Sequence, residues 1–273
     1  MRLPRMRFTI RLMMVVAGLA AVLVATIQFA QRTSEAAHQE TCRRNLGQIV
    51  IGLVEYSAQF GSFPAGTVVN DRLPPERRLS WLVVVWTFIE QWTWLLNQAE
   101  PWDAAINLPT RGHGVGEKPK ASGRLAVLTC PAASGSADEH MPGWTWYIGV
   151  AGVGRDAPTL PDGHPRAGVF GYDRRTRLAD IKDGASNTSL LVETNLSNGP
   201  WTAGGPATLR GLDPSRRPYI GQGREFGGLH RGGVNVAFAD GSVRFLRESI
   251  DPKAFEALST VAGGEKLPDG WDR

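Results

Sequence analysis

Among the residues that could do chemistry, His230 and Asp240 stand out. A histidine ten positions before a carboxylate can supply a base, an acid or a metal ligand. Both residues also have plain structural uses. Asp240 precedes Gly241, and an Asp before Gly tolerates the positive φ of a type I′ turn and caps it with its own side chain. His230 sits between Gly228 and Gly232-Gly233, where its ring can hydrogen-bond backbone and lock the start of a strand. The structural roles are the expectation for both, with a metal-dependent hydrolase built on His230 as an alternative.

Cys42 and Cys130 are the two cysteines of the chain. Outside the cytoplasmic membrane such a pair is oxidised, whereas on the reducing side it is two buried thiols. A bridge closing a loop of roughly 87 residues would stabilise the fold by roughly 4–5 kcal/mol on a chain-entropy argument. Asp180, Asp183 and Asn187 offer oxygen ligands of the kind Ca²⁺ takes, but their spacing does not follow an EF-hand loop. A turn with Asx caps is the expectation there. Asp138, Glu139 and His140 read as a solvated polar loop. Gly112-His113-Gly114-Val115-Gly116 follows no convincing strand and opens no helix, so it does not read as a phosphate cradle. Gly-x-Ser-x-Gly, His-Glu-x-x-His and Cys-x-x-Cys are absent from the sequence. No residue set is therefore assigned a catalytic role, and neither a cofactor nor a bound metal is expected. Trp144, Trp146 and Trp201 lie beside loops, where exposed aromatics can stack on sugars or face a protein partner. A tethered glycan- or ligand-binding module follows as a second alternative.

The elements that must position these residues begin with the first sixty. Arg2, Arg5, Arg7 and Arg11 precede a charge-free run from Leu12 to Gln31. About twenty such residues at 1.5 Å each reach roughly 30 Å, the thickness of a bilayer's hydrocarbon core. The basic cluster before the run places residues 1–11 in the cytoplasm, 12–31 in the membrane and the body outside. A cleaved signal would need a shorter apolar core and a small-x-small site, for which Ser34-Glu35-Ala36 is a poor candidate. A retained single-pass anchor in the cytoplasmic membrane is the expectation.

Residues 32–60 continue the helix. Cys42, Leu46, Ile49, Val50, Leu53 and Val54 recur at spacings of three and four and line one face. Gly47 and Gly52 each cost about 1 kcal/mol inside a helix and offer places for another element to approach closely. Gly61 and Pro64 end it. A second, buried helix is expected from Ser80 as N-cap through Leu96, with strands at 125–129, 144–150 and 189–193. Residues 196–225 hold few strand signals and read as a long surface excursion. The clearest hairpin pairs Val234–Phe238 with Val243–Leu246 around Asp240-Gly241.

The chain has 273 residues, with 30 Lys and Arg against 26 Asp and Glu. Much of the basic excess lies in the leading Arg cluster, so no nucleic-acid partner is inferred. Gly (32) and Pro (18) favour turns and short strands over a helical bundle. The fold class that follows is α+β. A long N-terminal transmembrane helix continues into a helix packed on the globular part, residues 61–273, which has long loops.

His230, nine residues and then Asp240-Gly241, set in Gly-Gly-Leu-His-Arg-Gly-Gly-Val-Asn-Val-Ala-Phe-Ala-Asp-Gly-Ser-Val-Arg-Phe, resembles the H-X9-DG signature of the DUF1559 family, planctomycete-type proteins with a prepilin-like N-terminus. Other segments match in order. They are Cys42-Arg43-Arg44-Asn45-Leu46 with Tyr56 and Gly61-Ser62-Phe63-Pro64, Leu79-Ser80-Trp81 with Glu90-Gln91, Leu128-Thr129-Cys130-Pro131, Gly168-Val169-Phe170-Gly171, and Asp183 to Thr188 with Glu193. The resemblance implies a pilin- or pseudopilin-like plan in which the helix packs on an antiparallel β-sheet and Cys42 on the helix meets Cys130 on the body. It implies a structural or assembly role in the cell envelope or a secretion-like system, with a homo-oligomer or other pilin-like proteins as partners. One departure stands out. Prepilin peptidase sites resemble Gly-Phe-Thr-Leu-Ile-Glu, but Arg7 replaces the Gly and Leu12 stands where the Glu would fall. An uncleaved, Arg-flanked anchor is expected instead.

Overall fold

A computed structural model describes residues 10–90, 96–108, 125–133, 143–267 and 270–271. The apolar run and the striped segment after it form one unbroken helix, α1 (Ile10–Phe60), of 51 residues. At 1.5 Å per residue it is about 77 Å long. It stops where the sequence indicates. Gly61 adopts φ 77°, and its N–H donates to Ser57 O over 2.8 Å. The left-handed geometry costs a glycine little and satisfies one of the last carbonyls.

The stripe predicted on the second part of α1 is buried, with Cys42, Leu46, Ile49, Val50 and Leu53 all at 0% exposure. Val54 is half-buried. It packs on α2 (Trp81–Ile89) and on one face of a five-stranded sheet. Gly52 is the point of closest approach to α2, since a Cβ there would stand 2.9 Å from Ile89 Cγ1. Gly47 has no neighbour within 4 Å of such a Cβ, so the expected close approach occurs at one glycine of the two.

The strands are β1 (Tyr147–Val153), β2 (Ser189–Glu193), β3 (Leu209–Leu212), β4 (Gly233–Phe238) and β5 (Val243–Arg247), in spatial order β3-β1-β2-β4-β5. All neighbours are antiparallel except β1 and β3. Period-two alternation sorts the strands between two cores. Tyr147, Ala151, Leu191 and Ala237 join α1 and α2. Ile148, Val150, Val192, Val234, Val236 and Phe238 join Phe255 and Leu258 at the short helix α3 (Pro252–Ala257).

Several expectations need correction. Residues 126–128 form a 3₁₀ turn, not a strand, because Leu128 N and Thr129 N bond locally to Leu125 O and Ala126 O. Ser80 flanks α2 but makes no side-chain cap. Its hydroxyl instead donates to Trp201 O, tying the helix to the body. α2 ends at Ile89, and residues 91–95 of its expected extension lie outside the described residues. Three consecutive valines stay helical here because packing on α1 and the sheet outweighs β-branched propensity. Residues 196–225 are no surface excursion. They contain β3 and bury Trp201, Leu209, Leu212, Tyr219 and Ile220.

Candidate functional site

Where α1 leaves its bare stretch and meets the sheet, polar side chains converge from five segments. Cys42 and Glu35 come from α1, Cys130 follows the 3₁₀ turn, Tyr147 and Glu193 sit opposite each other on β1 and β2, and His230 precedes β4. The Sγ atoms of Cys42 and Cys130 lie 2.7 Å apart, and both residues are fully buried. His230 Nε2 is 3.5 Å from Cys130 Sγ and 3.7 Å from Glu193 Oε1. Its Nδ1 faces Glu35 Oε1 at 3.2 Å, and the same oxygen accepts from Arg231 N at 3.1 Å. The His230 side chain is 1% exposed.

Glu193 is buried and held. Asn235 N donates to Oε2 over 2.8 Å and Asn235 Nδ2 to Oε1 over 3.0 Å. Asn45 Nδ2 donates to Ala126 O, Thr129 O and Tyr147 Oη, so the helix also grips the segment carrying Cys130. Buried polar groups of this kind cost stability unless paired. Here they pair across the seam between helix and body.

The titratable groups perturb one another. A hydrogen bond to Cys130 pushes the Cys42 thiol up, and burial adds to that. The Cys130 thiol is pulled down to about 6, first by the hydrogen bond with Cys42 and then, against burial, by His230. Burial works to lower the His230 ring, but hydrogen bonds and charges of Cys130 and Glu193 prevail and push it up to about 10. Burial pushes the Tyr147 hydroxyl up. With both cysteines reduced, these shifts favour a Cys130 thiolate beside a His230 imidazolium. Such a pair can attack an electrophile, ligate a soft metal or be oxidised. The sulfurs have no solvent-exposed face, which closes the first route to any substrate in this conformation.

His230 and Asp240 do not share partners. Asp240 Oδ1 accepts from Ser242 N and Oγ at 2.9 and 2.6 Å, at the tip of the β4–β5 hairpin. That tip is a three-residue loop, Ala239-Asp240-Gly241, with Gly241 N donating to Phe238 O and Phe238 N to Ser242 O. Gly241 takes the positive φ of 86°, and Asp240 does not, which corrects the type I′ expectation. A type I turn followed by a left-handed residue makes this longer loop. His230 and Asp240 thus do separate work. The histidine docks α1, and the Asp-Gly closes a hairpin.

The oxygen ligands considered for Ca²⁺ do not assemble. Asp183 accepts from Gly263 N and Gly264 N at 2.8 and 3.0 Å, pinning the segment after α3, while Asp180 Oδ2 pairs with Arg177. Trp146 and Trp201 are buried, the latter against Trp86 with ring centroids 4.8 Å apart. Of the three loop-side tryptophans only Trp144 is exposed, at 42%. A sugar platform loses two of its three members. Asp138, Glu139, His140 and Gly112 to Gly116 lie outside the described residues.

Sequence reading missed Glu35, Asn45, Tyr147 and Asn235. A findable signal existed for Asn235, a polar residue at an inward position of an alternating strand. For Glu35 the nearest signal is its place just past the uncharged run, three residues after Arg32.

The profile of a family described as "Protein of unknown function (DUF1559)" matches residues 31–211 and 202–253. No curated protein matches the chain, and no solved structure does. The match begins beside Glu35 and takes in every residue of the cluster.

Proposed function

The chain belongs to the DUF1559 family, and on that premise we propose that it is a single-pass, membrane-anchored, non-catalytic pseudopilin-like protein, a structural or assembly component of the cell envelope or a secretion-like system. One observation carries the reading. A single helix has a bare apolar half and a half that is the buried spine of a β-rich head. The apolar stretch within Met13–Phe60 has a mean hydropathy of 2.2 and is 0% buried, so by length and composition it is a candidate membrane span.

In this reading residues 1–11 are cytoplasmic, 12–31 cross the bilayer, and the head stands on the far side. Retention of the anchor is supported by the helix itself. A cut at Ser34-Glu35-Ala36 would fall inside α1 and sever the residue that holds His230. Cys42 and Cys130 then form a covalent clip between spine and head. Their thiols lose two protons and two electrons to a disulfide oxidant of that compartment. Partners are further copies of the chain or other pilin-like proteins packed along the bare half of α1. Crosslinking in intact cells, with a photoreactive residue at Val22, tests this. Adducts to a second copy or to another single-pass protein are expected, and recovery of monomer alone would sink the proposal.

A further inference from the structure

The cluster at the seam has a use that does not depend on membrane topology or on the pseudopilin reading. The donor atoms of Cys42, Cys130 and His230 all lie within 4.8 Å of one another, and all three residues are buried. Thiolate and imidazole together suit a borderline-soft cation, not Ca²⁺ or Mg²⁺. Zn²⁺ takes sulfur at about 2.3 Å and nitrogen at about 2.0–2.1 Å in a tetrahedron. Those lengths put a sulfur and a nitrogen ligand about 3.5 Å apart, and Nε2 stands 3.5 Å from Cys130 Sγ. They put nitrogen and oxygen ligands about 3.3 Å apart, and Glu193 Oε1 is 3.7 Å from Nε2.

Two thiolates on one Zn²⁺ stand about 3.8 Å apart. The two sulfurs, 2.7 Å apart, must therefore separate by about 1 Å, within reach of small rotations about χ1.

The ring is also oriented as a ligand. Its Nδ1 is turned to the Glu35 carboxylate, which leaves Nε2 facing the sulfurs. A carboxylate on the far nitrogen is the usual support of a metal-bound histidine and fixes its tautomer. Glu35 and His230 line an open groove of about 880 Å³, and the two sulfurs and Glu193 do not line it.

We propose that, when its cysteines are reduced, this protein binds one Zn²⁺ through Cys42, Cys130 and His230, with Glu193, 3.7 Å from the ring, moving in as the fourth ligand and Glu35 as the residue that positions the histidine. The ion staples α1 to the head, because Cys42 and Glu35 lie on the helix and the other three on the body. Zinc and a Cys42–Cys130 disulfide are mutually exclusive occupants of the same seam, since joined sulfurs carry no thiolate charge.

The test uses the full chain in detergent, reduced without oxygen, stripped with chelator and titrated with Zn²⁺ and with Co²⁺ as a spectroscopic probe. One ion per chain and a tetrahedral cobalt–thiolate spectrum are expected. Cys130→Ser should weaken the sulfur-to-cobalt band, and Cys42→Ser combined with Cys130→Ser should abolish it. Glu35→Gln should keep that band while weakening Zn²⁺ binding about 10–100-fold. The oxidised wild-type chain controls for variants that fail to fold. It keeps every other residue and should take up no zinc. No binding by the folded reduced chain, equal binding by oxidised and reduced protein, or binding indifferent to Glu35→Gln would each overturn the proposal.

Discussion

The two halves of α1 share one backbone and one period, yet they meet different solvents. From Met13 to Phe29 the large apolar side chains are bare on all sides, Leu23 at 60% and Phe29 at 71% exposure. From Glu35 onward one face is sealed under the sheet and α2, and the opposite face carries Glu40, Arg43 and Glu55. A helix that is apolar all round needs a hydrocarbon surrounding, while one with an apolar stripe needs only a partner on that side. Where the surroundings change, the chain places Glu35, the first charged residue with a partner in the head. The cluster around His230 therefore marks the boundary between the two halves.

The largest test of that boundary is the clip itself. With chelator present to remove any metal, reduction of the Cys42–Cys130 pair should lower head stability by about 4–5 kcal/mol, the chain entropy of the loop it closes. Urea melts of the detergent-solubilised chain with and without reductant would measure it, and coincident curves would mean no bridge forms. Next come substitutions that treat the halves alike. Leu53→Ala removes a fully buried side chain and should cost about 2–5 kcal/mol. Leu23→Ala should stay within about 0.5 kcal/mol in the same melt, because nothing in the head touches it.

Exposure alone does not separate the halves, and charge substitution sharpens this. Leu23 and Ile51 are almost equally exposed, at 60% and 54%. If the first half lies in lipid, Leu23→Arg meets an insertion penalty of about 2.5–3.5 kcal/mol and Ile51→Arg meets none. Carbonate-resistant membrane association should fall for the first variant and hold for the second. Equal behaviour would remove the distinction on which the anchor reading rests.

The sequence carried some of this plainly. Length and lack of charge marked the bare half. Spacings of three and four marked the stripe, and all five of its leading members are buried. Alternation around Asp-Gly marked β4 and β5. Patterns of this kind survive because a helix face or a strand face is a local, periodic property. What stayed hidden was set by contacts between distant segments. β3 is a four-residue strand whose pairing with β1 is parallel, so no hairpin turn announces it. The seam joins Cys42 to Cys130 across 88 positions and Cys130 to His230 across 100, so no local spacing encodes it. The even cysteine count, read with an extracytoplasmic setting, and the family resemblance brought the two cysteines together in advance. Nothing in the sequence placed Glu35 against His230, because its role depends on where the head docks along α1.

The smallest contrast is also the most local. Gly47 and Gly52 sit five residues apart on the same spine, and both pay the helix cost of glycine, about 1 kcal/mol against alanine. At Gly47 a Cβ would meet nothing within 4 Å, so Gly47→Ala should recover that amount and raise the urea midpoint. At Gly52 a Cβ would press on Ile89 Cγ1 at 2.9 Å and stand 3.4 Å from the Ile89 backbone N. The side-chain tip can rotate away but the α2 backbone cannot, so Gly52→Leu should cost about 1–3 kcal/mol by prising α2 off the spine. Opposite signs from the two substitutions would confirm that α2 docks at Gly52. Stabilisation at both would mean that α2 does not rest on α1 there, and that the stripe is sealed by the sheet alone.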